Sequence, residues 1–451
     1  WPLTLTKQSI LIVRDQFDSF SRKVVCITEK KKDNDEETEL FSEEKECEIK
    51  NRIWDGEGLL DVSCFRKLAE AFPHSKETPE NRFENCGMLL LRNRFFKTCA
   101  FRTKLQDWFA DNGITEIRQL NGYTEASDIR DIRLVVTNSS IKYFKLCGVN
   151  EKSPEEKFRK VAADYLKHLF EKDDTSTFGI VKTDKPTHHM EGDMVRTSYQ
   201  LLSTVGLTEN EVHQLYEPSK TYLYNIKSYP MFMRYYLNRI VREIPDYGEN
   251  EFDGFDSYDG NDVAPDGCTA EAIMELLKYR DDFSKTQYYK DFRDSVRNSF
   301  RNRIRSGRIL VNGTYATLLG NGAELLYAII NKDYRTDRSA FLKKGQIYSP
   351  KFKTGTRLLC ARSPHITMGN LLLSDNTECR IYSKYFELSP EIVCVNAIDS
   401  NIQNRLNGCD YDSDTMLITD HELLIRAAER TYSEFLVPFC TLDAQKRTDV
   451  D

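Results

Sequence analysis

An α+β fold is predicted, with two β-rich blocks flanking a helical middle. Three observations predict it. Residues 52–147 alternate short β-rich runs with turn signals, the stretch from 153 to 306 carries helical spacing, and after Gly307 the pattern returns to short apolar runs. The 451-residue chain is 40% hydrophobic and 30% charged, enough apolar material to exclude wholesale disorder. It has no apolar run long enough for a spanning helix, so no membrane association is expected.

The elements follow in order. The chain opens WPLTLTKQ, without Met, a basic start or an apolar signal core, and reads as a fragment or processed piece. Residues 1–52 form an N-terminal segment in which 29–51 (EKKKDNDEETELFSEEKECEIKN) reads as a solvated charged insertion. A first β block spans 53–150, where MLLLRN (88–93) and IRLVVT (132–137) are strands and LQDWFADNG (105–113) is a short helix closed by Gly113. From Ser153, SPEEKFRKVAADYLKHLFEKD has a capping Ser, Pro at the first position and apolar i, i+3/i+4 spacing.

That helix opens a connector over 151–306. A Tyr-rich helical region at about 221–243 is interrupted by Pro230, and 245–267 carries eight acids with no Lys or Arg, an acidic loop. Residues 269–307 read as one long helical stretch. The second β block spans 307–451, with strands at RILV, QIYSP, RLLCARSP and EIVCVNAI.

The formal charge of −7 disfavours a generic DNA-coating protein but permits an enzyme that concentrates positive charge locally. Twelve cysteines include no CxxC pair, which disfavours structural zinc and suits buried thiols in a reducing cytoplasm.

The sharpest chemical signal is GCDYDSDTMLITD (408–420), where Asp410, Asp412 and Asp414 fall at i, i+2 and i+4. Three hard carboxylates converging in a loop suit Mg²⁺, with Mn²⁺ as a substitute. A helix–loop–helix calcium site would need Gly at position six and Glu at position twelve, where the chain has Thr415 and His421. A plain acidic turn without metal remains the alternative.

Upstream lies ARSPHITMGNLL (361–372). Together the two segments resemble the two-barrel RNA polymerases. In their multisubunit β-prime chain an NRxPxxHxxG segment precedes NADFDGD, and in the single-chain RNA-dependent RNA polymerases of RNA silencing RNPxxHPGD precedes DLDGD. Further segments are similar in order and spacing: IWDGEGLLDVSCFRKLAEAF (53–72), FENCGMLLLRNRFFKTCAF (83–101), DIRLVVTNSSIKYFKLCGV (131–149) and GRILVNGTYATLLGNGAELL with KKGQIYSP (307–350). Phage single-chain RNA polymerases share the pattern. The resemblance covers roughly 53–150 and 307–420 and leaves 151–306 unaligned. It departs at Ser413, where the family has Gly, and near Gly87, where the family's lysine is missing and Lys97 is the nearest substitute.

The resemblance implies two double-psi β-barrels with the active site between them, and RNA synthesis from NTPs on a nucleic-acid template by a two-metal mechanism. Asp410, Asp412 and Asp414 would be the catalytic and metal-binding residues. Arg362 would contact the incoming nucleotide, with His365 beside it, and Lys97, Arg92 and Arg94 would meet the triphosphate, joined by Lys142 and Lys145. Bland readings stand beside these: a salt bridge for Arg362, a core histidine for His365 and a solvated strand face for the arginines. Arg293, Arg297, Arg301 and Arg305, each four apart, make a cationic row about 18 Å long on a helix, suited to a template or product backbone or to the acidic 245–267 segment. Family members continue into further helical elements, so other polymerase segments or another chain are expected to complete the enzyme. The rival readings are a non-catalytic nucleic-acid-binding scaffold and a metal-dependent nuclease.

Overall fold

The computed structural model describes residues 1–31, 38–72, 83–184, 187, 189–241 and 267–440. The first block is built on strands β1 (Pro2–Thr6), β2 (Ile10–Val13), β3 (Phe17–Lys31), β4 (Thr38–Arg52), β5 (Glu57–Asp61), β6 (Met88–Asn93), β7 (Phe96–Thr103), β8 (Tyr123–Thr124), β9 (Leu134–Thr137) and β10 (Thr175–Thr183). Eight of them form a mixed sheet in the order β1-β10-β6-β7-β5-β9-β2-β8. Three of its strands, β1, β2 and β10, come from outside the 53–150 block. β2 was illegible because a short, wholly buried run such as ILIV carries no period, whereas β1 alternates exposed and buried residues and was missed.

The charged 29–51 segment is not a solvated loop in its described part. It belongs to β3 and β4, which pair residue for residue from Phe17↔Arg52 outward. Val24 and Cys26 on one strand and Ile49 and Asn51 on the other are buried at every second position, the period of two that marks a half-buried hairpin. Short β19 (Pro438–Cys440) adds parallel to β3.

Strands β11 (Met194–Arg196) and β12 (Leu310–Asn312) pair with each other. The second block is a closed six-stranded barrel of β13 (Thr314–Leu319), β14 (Gln346–Tyr348), β15 (Arg357–Ala361), β16 (Leu372–Asn376), β17 (Ile392–Val395) and β18 (Thr415–Thr419), in the order β13-β17-β14-β16-β15-β18. The β13–β17 and β14–β16 pairs are parallel and the rest antiparallel. The fold is therefore α+β, as the alternating blocks implied.

One apolar core joins the blocks: Trp54, Leu59, Met88, Phe101 and Trp108 pack with Leu318, Val393, Tyr411 and Ile418. The far face of the first sheet is covered by helices Val62–Ala71 and Glu155–Leu169 through Phe65, Leu68, Phe158 and Val161. A helical layer covers the barrel's outer wall, where Tyr222, Met233 and Phe300 meet Leu359, Leu373 and Leu417. The expected stretch 269–307 is broken into helix Gly267–Tyr279, a tight turn at Asp281–Lys285 and helix Gln287–Arg305. Thr286 restarts the helix by accepting the Tyr289 N–H at 3.2 Å, and Gly307 ends it at φ +86°. The acidic loop falls on residues outside the described ones, apart from Gly267.

Candidate active site between the two β blocks

The aspartate loop leads into β18. Asn407 and Gly408 take φ values of +51° and +68°, and beyond this turn Cys409 and Tyr411 bury while Asp410, Asp412 and Asp414 stay partly exposed. The loop is tied to itself: the Asp410 N–H donates to Asp414 Oδ2 at 3.0 Å, and the Asp412 N–H to Asp410 Oδ1 at 3.3 Å. Burial, then the charges of Asp414 and Asp412, push the Asp410 carboxyl up to about 7. Ser413 stands at φ +115°, a conformation that favours glycine.

Each block contributes a cation. Lys97 on β7 forms an ion pair with Asp412, its side chain 26% exposed against 25% for the acid. Arg362, just past β15, binds Asp414 Oδ2 at 2.8 Å and donates to the carbonyls of Leu406 and Asn407, each at 3.1 Å. It thus holds both ends of the loop. Among the described residues no three His, Cys, Asp or Glu side chains are gathered as a metal cage, and Asp412 and Asp414 each pair with a cation instead.

The turn before β5 supports the loop from below. A Cβ on Gly56, at φ +81°, would stand 2.4 Å from Asp412 Cβ. Tyr411 N–H donates to Asp55 O at 2.8 Å, and Gln403 Nε2 to Arg52 O at 2.8 Å. Buried Glu57 accepts the Gly320 N–H at 2.9 Å, and burial pushes its carboxyl well up. Behind the turn, Asp15 is buried with Arg52 and Ser139 around it, and Ser139 Oγ accepts the Gly56 N–H at 3.1 Å. The DGEG segment is visible in the sequence, but its contact with Asp412 spans the whole chain and leaves no local signal.

The other candidates are placed as follows. Arg92 pairs opposite Lys97 across the β6–β7 hairpin, so both project from the sheet face that meets the second block. Arg94 does not share a strand face with Arg92; it lies in the turn after β6, with Phe95 at φ +53°. Lys182 on β10 lies opposite Leu90, on the same face as Lys97, and was missed. Buried Cys99 feels the charges of both Lys182 and Asp412. Lys142 and Lys145 lie exposed on helix Lys142–Leu146.

His365 lines a narrow cavity with Ser198, Leu201, Tyr315, Ser363 and Thr415, next to Asp414 in sequence. Burial pushes its imidazole down to about 4, so it is neutral at neutral pH. The Arg293 row lies on its helix beside the buried stripe Val296, Phe300 and Ile304. Asp294 binds Arg293 at 3.0 Å and Arg297 at 3.9 Å, so the row's first half is partly neutralised. Arg301 is half-buried and Arg305 exposed.

No family model and no curated protein matches the sequence. Among solved structures, the chain is similar to the RNA-dependent RNA polymerase QDE-1 from Thielavia terrestris, with 14% identity and a TM-score of 0.47. The match covers 88% of this chain and 36% of that one, so the chain spans about a third of that polymerase's length. The likeness is distant and concerns the fold, and the functional reading rests on the site's own residues. No helix of the described residues is long and apolar enough to cross a membrane.

Proposed function

We propose that this chain is the catalytic region of a nucleotidyltransferase that synthesises RNA from NTPs on a nucleic-acid template, its site lying between two barrels of the double-psi kind. One observation carries the reading: in a loop of three aspartates, Asp412 pairs with a lysine from the first block and Asp414 with an arginine from the second. Phosphoryl transfer asks for little covalent chemistry, only positioning and charge neutralisation, and this arrangement supplies both signs of charge at one point.

Hard carboxylate oxygens are the donor chemistry of Mg²⁺ or Mn²⁺, and binding would require Asp412 and Asp414 to turn from Lys97 and Arg362. Burial, and then the neighbouring charges of Asp414 and Asp412, push the Asp410 carboxyl up to about 7, and the repulsive part of that cost is one a divalent cation would relieve. When bound, the ion supplies Lewis-acid charge to the primer hydroxyl and the phosphates. Arg362 fixes the loop through Asp414 and, with Lys97, gives the triphosphate its cationic partners; Arg92 and Lys182 extend that face. Neutral His365 shapes the wall beside Thr415. The Arg297–Arg305 part of the row offers a backbone track, and further segments or another chain complete the enzyme.

Ser413 and the two ion pairs favour a second reading, a nucleic-acid-binding scaffold whose aspartates are structural. Primer extension separates the two. Labelled primers on RNA and DNA templates in parallel, with Mg²⁺ or Mn²⁺, are expected to lengthen on one template with wild-type protein and not with Asp412→Ala. Binding of primer-template without extension by either protein, at unchanged melting temperature, would establish the scaffold.

A further inference from the structure

The β6–β7 hairpin does not end at the site. Lys97 meets Asp412 at one end, Arg92 stands opposite it, and two residues on the chain turns at Arg94 and Phe95. This tip is pinned rather than loose. The Lys142 N–H donates to Phe95 O at 2.7 Å, and the Tyr165 hydroxyl donates to Arg94 O at 3.0 Å. Pinned so, Phe95 keeps 53% of its surface exposed and leans on Tyr143, ring centroids 6.3 Å apart.

Arg94 precedes that ring in the chain, and Arg92, Lys142 and Lys145 lie on the strand and the helix that the tip joins, all four exposed and none with an ion-pair partner among the described residues. Elsewhere exposed cations commonly meet acids, as Lys23 does Glu44 and Arg130 does Asp128. An exposed aromatic ring next to unpaired cations matches one ligand chemistry, unstacked bases on a phosphate chain.

We propose that the β6–β7 tip and helix Lys142–Leu146 form a docking surface for single-stranded nucleic acid, with a base stacked on Phe95 and phosphates on Arg94, Lys142 and Lys145. The strand then runs along the hairpin toward Lys97, which carries it to or from the aspartate loop. Arg94 thereby leaves the triphosphate set and becomes a strand contact. This deepens the polymerase reading, and it is tested without NTPs or synthesis so that the two fail separately.

The experiment is fluorescence anisotropy with a labelled RNA of about 15 nucleotides, the DNA of the same sequence, and the blunt RNA duplex, over a salt series. Phe95→Ala is expected to weaken both single strands about tenfold and to leave the duplex unchanged, while Phe95→Trp restores binding. Lys142→Gln with Lys145→Gln is expected to lower the slope of log affinity against log salt by about 0.7 per lost contact. Unchanged single-strand binding in Phe95→Ala, or an equal loss for the duplex, would overturn the assignment. Melting curves check that each variant is folded, which the ring's exposure favours.

Discussion

Gly56→Ala is the sharpest probe of how the two blocks make one site. The added methyl would lie 2.4 Å from Asp412 Cβ and 3.2 Å from its Cα, where ordinary contact begins at 3.4 Å. The obstacle is backbone and Cβ rather than the end of a flexible chain, so the Asp412 loop must withdraw by about an ångström. Misplacement on that scale costs on the order of 100-fold in rate. The φ of +81° adds about 1–2 kcal/mol for any residue with a Cβ, and overpacking about 1–3 kcal/mol more. Extension rate and chemical denaturation are measured on one preparation. The expected variant is folded, less stable by about 2–5 kcal/mol and nearly inactive. Wild-type extension by Gly56→Ala would refute the claim that the turn before β5 sets the position of Asp412.

Ser413→Gly relieves a φ of +115° and is expected to stabilise the protein by about 1 kcal/mol, read as a shifted denaturation midpoint; a loss of stability would show that the serine side chain holds the loop. Lys97→Met frees Asp412 from its ion pair and is expected to tighten Mn²⁺ binding by up to about fivefold, measured by titration calorimetry, while Lys97→Arg leaves it near wild type. Asp15, nearly buried, holds its proton up to about 7 in the folded chain against 3.8 unfolded. Unfolding between those values releases a proton, so the group's contribution to stability is greatest below 3.8 and declines as pH rises to 7. Asp15→Asn is therefore expected to gain on wild type across that window, by up to about 4 kcal/mol at pH 7 and above, in denaturation curves run at successive pH values.

Much of the site was legible because its chemistry is local. Asp410, Asp412 and Asp414 lie within five positions, and Arg362 sits in a short motif of its own. The strands Met88–Asn93 and Ile392–Val395 announced themselves as apolar runs between turns. What stayed hidden depends on distance along the chain. Nothing near Gly56 says that its missing Cβ makes room for Asp412, nothing near Lys182 says that it shares a face with Lys97, and β1 and β10 pair across residues 2–6 and 175–179. The charged hairpin misled because Glu and Lys mask an alternation carried only by Val24, Cys26, Ile49 and Asn51. The Arg293 row misled differently: the spacing was right, but Asp294 beside it pairs with both Arg293 and Arg297 and offsets part of their charge.

Single-nucleotide addition on four templates that differ only in the templating base tests the catalytic assignment with the least intervening inference. Each reaction would hold Mg²⁺, a labelled primer and one NTP at a time. The proposed chemistry gives addition of the complementary nucleotide alone, abolished in Asp412→Asn. Addition regardless of template would make the chain an untemplated transferase, a shortened primer would make it a nuclease, and no reaction with primer-template bound would leave the aspartates a structural loop.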